Sequence, residues 1–169
     1  MEQHELRYQT LYSANLESMT ATLLGRTDRL VSFFTLLFSA AVFSSLPQGL
    51  VGTILAALSA YAFSYQPGQK ATLARAQADN YLNLHYHIRS LTFDAKPEEI
   101  ASLEKEFCAL REKDSTVIGS LWKAADIRTR VLLEQPVDKS LNRLEVLVSW
   151  CAGDLPSERL PRPKKPDAA

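Results

Sequence analysis

Two groups of residues have the types and spacing for chemistry. The first is His85-Tyr-His87 with Arg89, the one close histidine pair among three histidines. Residues two apart on a helix point to different faces, so the spacing predicts two polar-face histidines rather than a shared metal. The second is Trp122-Lys123 followed by Arg128 and Arg130. Arginine offers phosphate a planar fork of donors and stacks on aromatic rings, and a neighbouring ring can stack a base. His85, Arg89, Trp122, Lys123, Arg128 and Arg130 are therefore the candidate set for an anionic nucleotide. The competing reading is salt bridging on a solvated face. Glu98, Glu99, Glu104 and Glu106 form an acidic run, the pattern of a solvated helix face. The sequence has no nucleophile elbow, P-loop, Gly-rich dinucleotide turn or H-E-x-x-H helix. An enzyme is not expected, and neither is a cofactor or a metal.

The element that must position these groups is the stretch before them. Residues 30–69 contain no Asp, Glu, Lys, Arg or His, although charges recur every few residues elsewhere. Each apolar half runs about 16 to 18 residues, at the short end of what spans a bilayer core. Pro47-Gln48-Gly49 between them is chain-reversing chemistry. The reading is a transmembrane helical hairpin over 30–66. A buried hairpin of a soluble bundle is the alternative, but such helices carry a polar face. Arg26 and Arg29 precede the hairpin and Lys70 and Arg75 follow it, whereas the tip is uncharged. Basic flanks favour the cytoplasmic side, so both termini are expected inside a bacterial inner membrane. Ser32, Thr35 and Ser39 on the first helix, and Gly49, Thr53, Ala56, Ala60 and Ser64 on the second, form small or hydroxylated faces. Such faces let membrane helices approach closely. They are expected to pack the two helices on each other, or to face neighbouring subunits or a pore. Phe33, Phe34, Phe38, Tyr61, Phe63 and Tyr65 are assigned to lipid and its interface.

The remainder reads as all-α. Residues 1–29 form an N-terminal cytoplasmic helix, with Tyr8, Tyr12, Asn15, Met19 and Leu23 at helical spacing, and it is expected to pack on the protein. A cytoplasmic helical domain over 67–155 follows. Its first helix runs from Lys70 to Thr92, with a bend at Pro67-Gly68. A second starts at Pro97, whose ring suits a first helical position, with Glu98 and Glu99 at the positive end of the dipole. A third is capped by Asp114 or Ser115 and runs to Glu134. A last one carries Leu141, Leu144, Leu147 and Val148 and ends near Gly153. The tail over 156–169, rich in proline and base, is expected to be disordered. Nineteen basic and nineteen acidic residues cancel, so no overall field favours nucleic acid and no direct DNA binding is expected. Cys108 and Cys151 form no motif and fit reduced residues of a cytoplasmic face.

A leading helix, a short-turn hairpin from Leu30 to Tyr65 and a long helix leaving the membrane from Lys70 to Thr92 resemble the SLATT family of two-transmembrane effector domains. The segment Ala76-Gln-Ala-Asp-Asn-Tyr-Leu-Asn-Leu adds to that resemblance, which covers about residues 5 to 112. It implies an anti-phage effector that oligomerises, a tetramer being one such state, and disrupts the membrane when a partner enzyme supplies an oligonucleotide signal. The family has no catalytic residues to carry over. The layout is also similar to two-helix membrane effectors of type III CRISPR systems, whose helical part binds a cyclic oligoadenylate, and the helices from Asp114 to Gly153 fit that layout. The partners implied are a lipid bilayer, further copies of the chain and a cyclic oligonucleotide. The alternatives are a non-catalytic scaffold that recruits a partner protein and a holin-like protein.

Overall fold

The computed structural model describes residues 3–41, 47–91, 97–113, 117–137 and 140–153. Every regular element among them is helical: α1 Gln3–Ala41, α2 Gln48–Tyr65, α3 Pro67–Ser90, α4 Pro97–Arg111, a 3-10 turn Gly119–Leu121, α5 Trp122–Leu132 and α6 Arg143–Cys151. The all-α reading therefore holds.

The organising element is α1. It is one helix of 39 residues, so the expected boundary at residue 29/30 falls inside it. No proline interrupts it, and Gly25 alone is tolerated within a helix. Several threonine and serine hydroxyls along it donate back to the preceding turn, as Thr10 does to the Leu6 carbonyl at 2.7 Å and Thr35 to Val31 at 2.8 Å. That satisfies the hydroxyls without breaking the helix.

Helices α2 and α3 together run back along α1. Their joint is Gln66, held in the left-handed region at φ 49°, ψ 55°. This costs a non-glycine residue roughly 1 kcal/mol. Pro67 then opens α3, where its missing N–H is no loss. The bend expected near Pro67-Gly68 thus lies one residue earlier. Below it, α1 and α3 meet along a seam of small residues. Ala21, Ala74 and Ala78 are buried, and a Cβ at Gly25 would touch the Ala71 methyl at 3.9 Å. The Asp28 carboxylate lies against Gly68, where a Cβ would fall 3.0 Å from it. There it faces the positive end of the α3 dipole.

The described residues of the body form two apolar clusters, one on each side of α1. Leu6 and Ala14 pack with Tyr81, Leu84 and Ile88 of α3 and Phe107 of α4. Met19 packs with Leu121, Ala124 and Ala125, and with Ala152 after α6. Each large side chain fully buried here contributes about 1.5–3 kcal/mol. Gln77 donates to the Leu110 carbonyl at 2.6 Å, satisfying an end of α4. The domain expected over 67–155 is accordingly not built from those residues alone, because α1 supplies part of both clusters. The stripe Tyr8, Tyr12, Asn15, Met19, Leu23 is the α5/α6 side of α1. The α3 side, with Leu6, Thr10, Ala14 and Ala21, did not stand out as a stripe because its residues are small or polar.

The third helix expected within 67–155 begins with the 3-10 turn at Gly119, and the proposed caps Asp114 and Ser115 lie outside the described residues. The last helix is capped by Asn142. Its side chain accepts from Arg143 N at 2.7 Å, and Glu145 accepts from Asn142 N at 2.8 Å. The tail assigned to disorder also lies outside the described residues.

The hairpin itself departs from expectation in two ways. Gln48 and Gly49 are helical and Pro47 caps α2, so these three residues do not form a turn of their own; residues 42–46 are outside the described set. The small face is also not the face that joins the two helices. Gly49, Thr53, Ala56, Ala60 and Ser64 are all exposed, as are Ser32 and Ser39, with Thr35 half-buried. Val51, Ile54, Leu55, Leu58 and Ala62 turn inward instead. Branched side chains fill the space between two helices, and the Thr53 hydroxyl is already donated to the Gly49 carbonyl at 2.8 Å. Among the described residues, no helix is long and apolar enough to cross a membrane. Arg26, Asp28 and Arg29 dilute the start of the apolar end of α1. In α2 the diluting residues are Gln48, Ser59, Ser64 and two tyrosines.

Candidate anion-binding site

Three helices converge on a cavity of about 340 Å³ in the body. Helix α1 contributes Arg7 and Asn15, α3 contributes His85, Tyr86 and Arg89, and α5 contributes Arg128. On α1, Arg7, Leu11, Ala14 and Ser18 recur at spacings of four and three, so one helical face lines it. On α3, His85 and Arg89 are one turn apart. Among the described residues no carboxylate lines this cavity, and three guanidiniums do. A low-dielectric wall concentrates such a field.

His85 is the most constrained member, only 7% exposed. Burial pushes its pKa down, a backbone hydrogen bond to Arg7 works against that, and the charges of Arg7 and Arg89 lower it further. Nδ1 has no hydrogen-bond partner among the described residues, and neither does Nε of Arg7. Buried polar atoms are nearly always satisfied. An unsatisfied ring nitrogen and an unsatisfied guanidinium N–H among the lining residues of one cavity are groups that a polar anion would complete.

The sequence-based set divides here. His85, Arg89 and Arg128 come together. Trp122, Lys123 and Arg130 do not join them. Lys123 Nζ sits 2.7 Å from Glu145 and 5.7 Å from the Trp122 ring centre. Its hydrogen bond, followed by that of Asn142 N, holds the Glu145 carboxyl below its usual range. Arg130 Nε lies 3.2 Å from both Asp126 oxygens. Asp126 also accepts from the Tyr8 hydroxyl, and burial plus that contact pushes the Tyr8 phenol up to about 12. Trp122 lines a different cavity, of about 430 Å³, with Tyr8, Tyr12, Arg111, Glu5 and Asp126. Its two acids disfavour an anion. Helical rotation explains the division, because positions two apart, such as 128 and 130, cannot face one site. His85 is buried and His87 exposed, so that pair diverges as its spacing requires.

Sequence reasoning missed Arg7, Asn15 and Tyr86. Arg7 had a signal in the 7, 11, 14, 18 spacing, but nothing local couples it to residues 85–89. Asn15 donates to the Thr129 hydroxyl at 3.0 Å, which ties the α1 and α5 walls together.

The fold is thus a helical body threaded by α1, with an apolar hairpin projecting from one end and a cationic cavity in its middle. Comparison with known proteins found no matching family model, curated protein or solved structure.

Proposed function

We propose that the chain is a non-catalytic membrane effector: its hairpin inserts into a bilayer, copies associate through it, and an anionic nucleotide in the Arg7–His85–Arg89–Arg128 cavity controls their arrangement. The observation that carries this reading is the bare apolar surface of the hairpin. Residues 30–69 have no charge, yet Leu36 and Phe63 are 72% and 81% exposed, and Leu30, Phe33, Phe34, Leu37 and Leu50 are exposed with them. A contiguous surface of that kind marks a membrane or protein contact. At 18 residues α2 is about 27 Å long, near the ~30 Å hydrocarbon core. Arg26 and Arg29 flank one leg and Lys70 and Arg75 the other, which supports a cytoplasmic body in a bacterial inner membrane. The open small face of α2 supports close approach of a second copy. The cavity's size and charge suit one nucleotide unit, with Tyr86 beside it to stack a base. A cyclic oligonucleotide would give each of several symmetric subunits one such unit. An anti-phage role is what the SLATT resemblance implies.

Vesicle flotation and thiol labelling test the membrane part. The full chain is expected to float with vesicles and to resist alkaline extraction. An impermeant thiol reagent on intact cells should leave Cys108 and Cys151 unlabelled and should label a Gln48→Cys variant. Labelling of Cys108 with protection at position 48 would invert the topology; recovery in the soluble fraction would overturn the proposal. An effector depolarises cells when its nucleotide is supplied, whereas a scaffold does not.

A further inference from the structure

A second cationic hollow lies where α1 and α3 leave the hairpin. It has a volume of about 660 Å³, small residues such as Gly25 and Ala71 form its walls, and Arg26, Arg29, Arg75 and Asp79 supply its charge. The small seam brings the helix backbones close, so the longer arginines overhang open space.

The charges around the hairpin base are unequally used. Lys70 Nζ is held 3.7 Å over the Tyr65 ring. Asp28 is turned against Gly68. Arg26 donates through one nitrogen to the Trp150 and Cys151 carbonyls at 3.0 Å each, where it satisfies the end of α6. Arg29 and Arg75 are exposed and form no ion pair with the described residues. Two unpaired guanidiniums thus face one hollow across the α1–α3 seam. Their height is also informative. By helix rise, Arg26 and Arg29 lie within about 6 Å of Leu30, and Arg75 within about 8 Å of Lys70. The headgroup layer on each side of a bilayer is about 5–7 Å thick. Trp150, fixed beside Arg26 and 66% exposed, is at that depth, where tryptophan is enriched.

The geometry points to a phospholipid headgroup site: the Arg29 and Arg75 guanidiniums donate to the phosphodiester of an anionic glycerophospholipid, and the Asp79 carboxylate accepts from a headgroup hydroxyl. Such a lipid ties α1 to α3 at the hairpin's base. The inference rests on the membrane reading above. A soluble phosphate monoester shares the chemistry, and the lipid is favoured because the hollow opens at headgroup depth.

The test uses the full chain reconstituted in vesicles of equal phosphatidylglycerol, phosphatidylethanolamine and phosphatidylcholine, extracted gently and weighed with its retained lipid by native mass spectrometry. Phosphatidylglycerol is expected to be retained about tenfold over phosphatidylcholine, the scale of charge-assisted hydrogen bonds from two arginines. The preference should vanish in the Arg29→Gln/Arg75→Gln double variant and persist in Lys70→Gln. Equal retention of the three lipids by the unaltered protein overturns the site while leaving membrane insertion intact. In a parallel arm, glycerol 3-phosphate is titrated into delipidated protein in detergent. Arginine-dependent binding there without phosphatidylglycerol enrichment would assign the site to a soluble ester and overturn the lipid assignment. Failure to float with any vesicle removes both this inference and the membrane reading.

Discussion

Arg128 and Arg130 are two residues apart on α5, and the structure gives them opposite tasks. Arg128 lines the cavity with Arg7 and Arg89. Arg130 holds Asp126 at 3.2 Å. Arg128→Gln removes one of three cationic donors from the cavity. A hydrogen bond to a charged group contributes about 1.5–3 kcal/mol, and the half-exposed position puts the loss at the lower end, so nucleotide affinity should fall about 10- to 30-fold at low salt. Stability should change little. Arg130→Gln does the reverse. Its ion pair has one member one-third exposed and one 7% exposed, and solvent screening limits the pair to about 1 kcal/mol. Leaving the buried Asp126 carboxylate with fewer donors raises the cost to roughly 1–2 kcal/mol, or a melting point lower by roughly 2–6 °C for a chain of this size. Affinity should hold. The assay is calorimetry on the full chain in detergent micelles, against cyclic di-, tri- and tetranucleotides at two salt concentrations, with thermal unfolding of each variant. The whole chain is needed because α1 forms a wall of the cavity. Equal weakening by both variants, with both still folded, would refute the assignment of Arg128 to the site. Absence of binding by every nucleotide would refute the site's ligand class.

Ala56→Leu and Ala60→Leu place bulk on the open face of α2; both should lose the oligomer in detergent without losing insertion, as cross-linking and flotation would show, and normal assembly would mean that this face meets lipid. The depressed His85 pKa fixes a pH dependence. Below its ordinary value of 6.5 the unfolded chain takes up a proton that the native ring refuses. Stability is therefore full above that pH and falls as pH drops through it. Urea midpoints at about pH 8 and about pH 5.5 should reveal the loss, and His85→Gln should reduce it. Asn142→Ala removes the capping box of α6 and should cost about 1 kcal/mol by urea denaturation, with no effect on nucleotide binding.

The helical character, the breaks and the hairpin were legible because each has a local cause: a 3.6-residue period, a proline or a gap in charge. Pro97 opens α4 as its chemistry requires, and the absence of charge between Arg29 and Lys70 marks the projecting legs. What was not legible is non-local. The period of α1 was read as one stripe, yet two sides of that helix are buried, and the second side is written in Ala and Thr rather than Leu. The small face of the hairpin was assigned first to packing between its own legs, but the branched residues won that contact because they fill space that alanines leave empty. Half of the nucleotide set lies away from the cavity for a similar reason. Lys123 and Arg130 have partners, Glu145 and Asp126, and the Lys123–Glu145 contact exists only once α6 folds back. Arg7 escaped notice because 78 positions separate it from His85.

The placement of the two cavities gives the proposed effector a mechanical logic. The walls of the proposed nucleotide cavity are α1, α3 and α5, and the first two are the helices that carry the legs of the hairpin. From His85 to Pro67 the rigid run of α3 is about 27 Å, and α1 continues into its leg without a break. In the proposed mechanism, an anion that draws Arg7 and Arg89 together would alter the angle between α1 and α3, and the two helices would carry the change to the far end. Among the described residues of this path, Gln66 alone has a left-handed backbone, and the proposed hinge is placed there, where α2 meets α3. A ligand can shift such an equilibrium only by its difference in affinity for the two arrangements. The unsatisfied atoms of Arg7 and His85 provide a source for that difference: they are costly without an anion and paired with one.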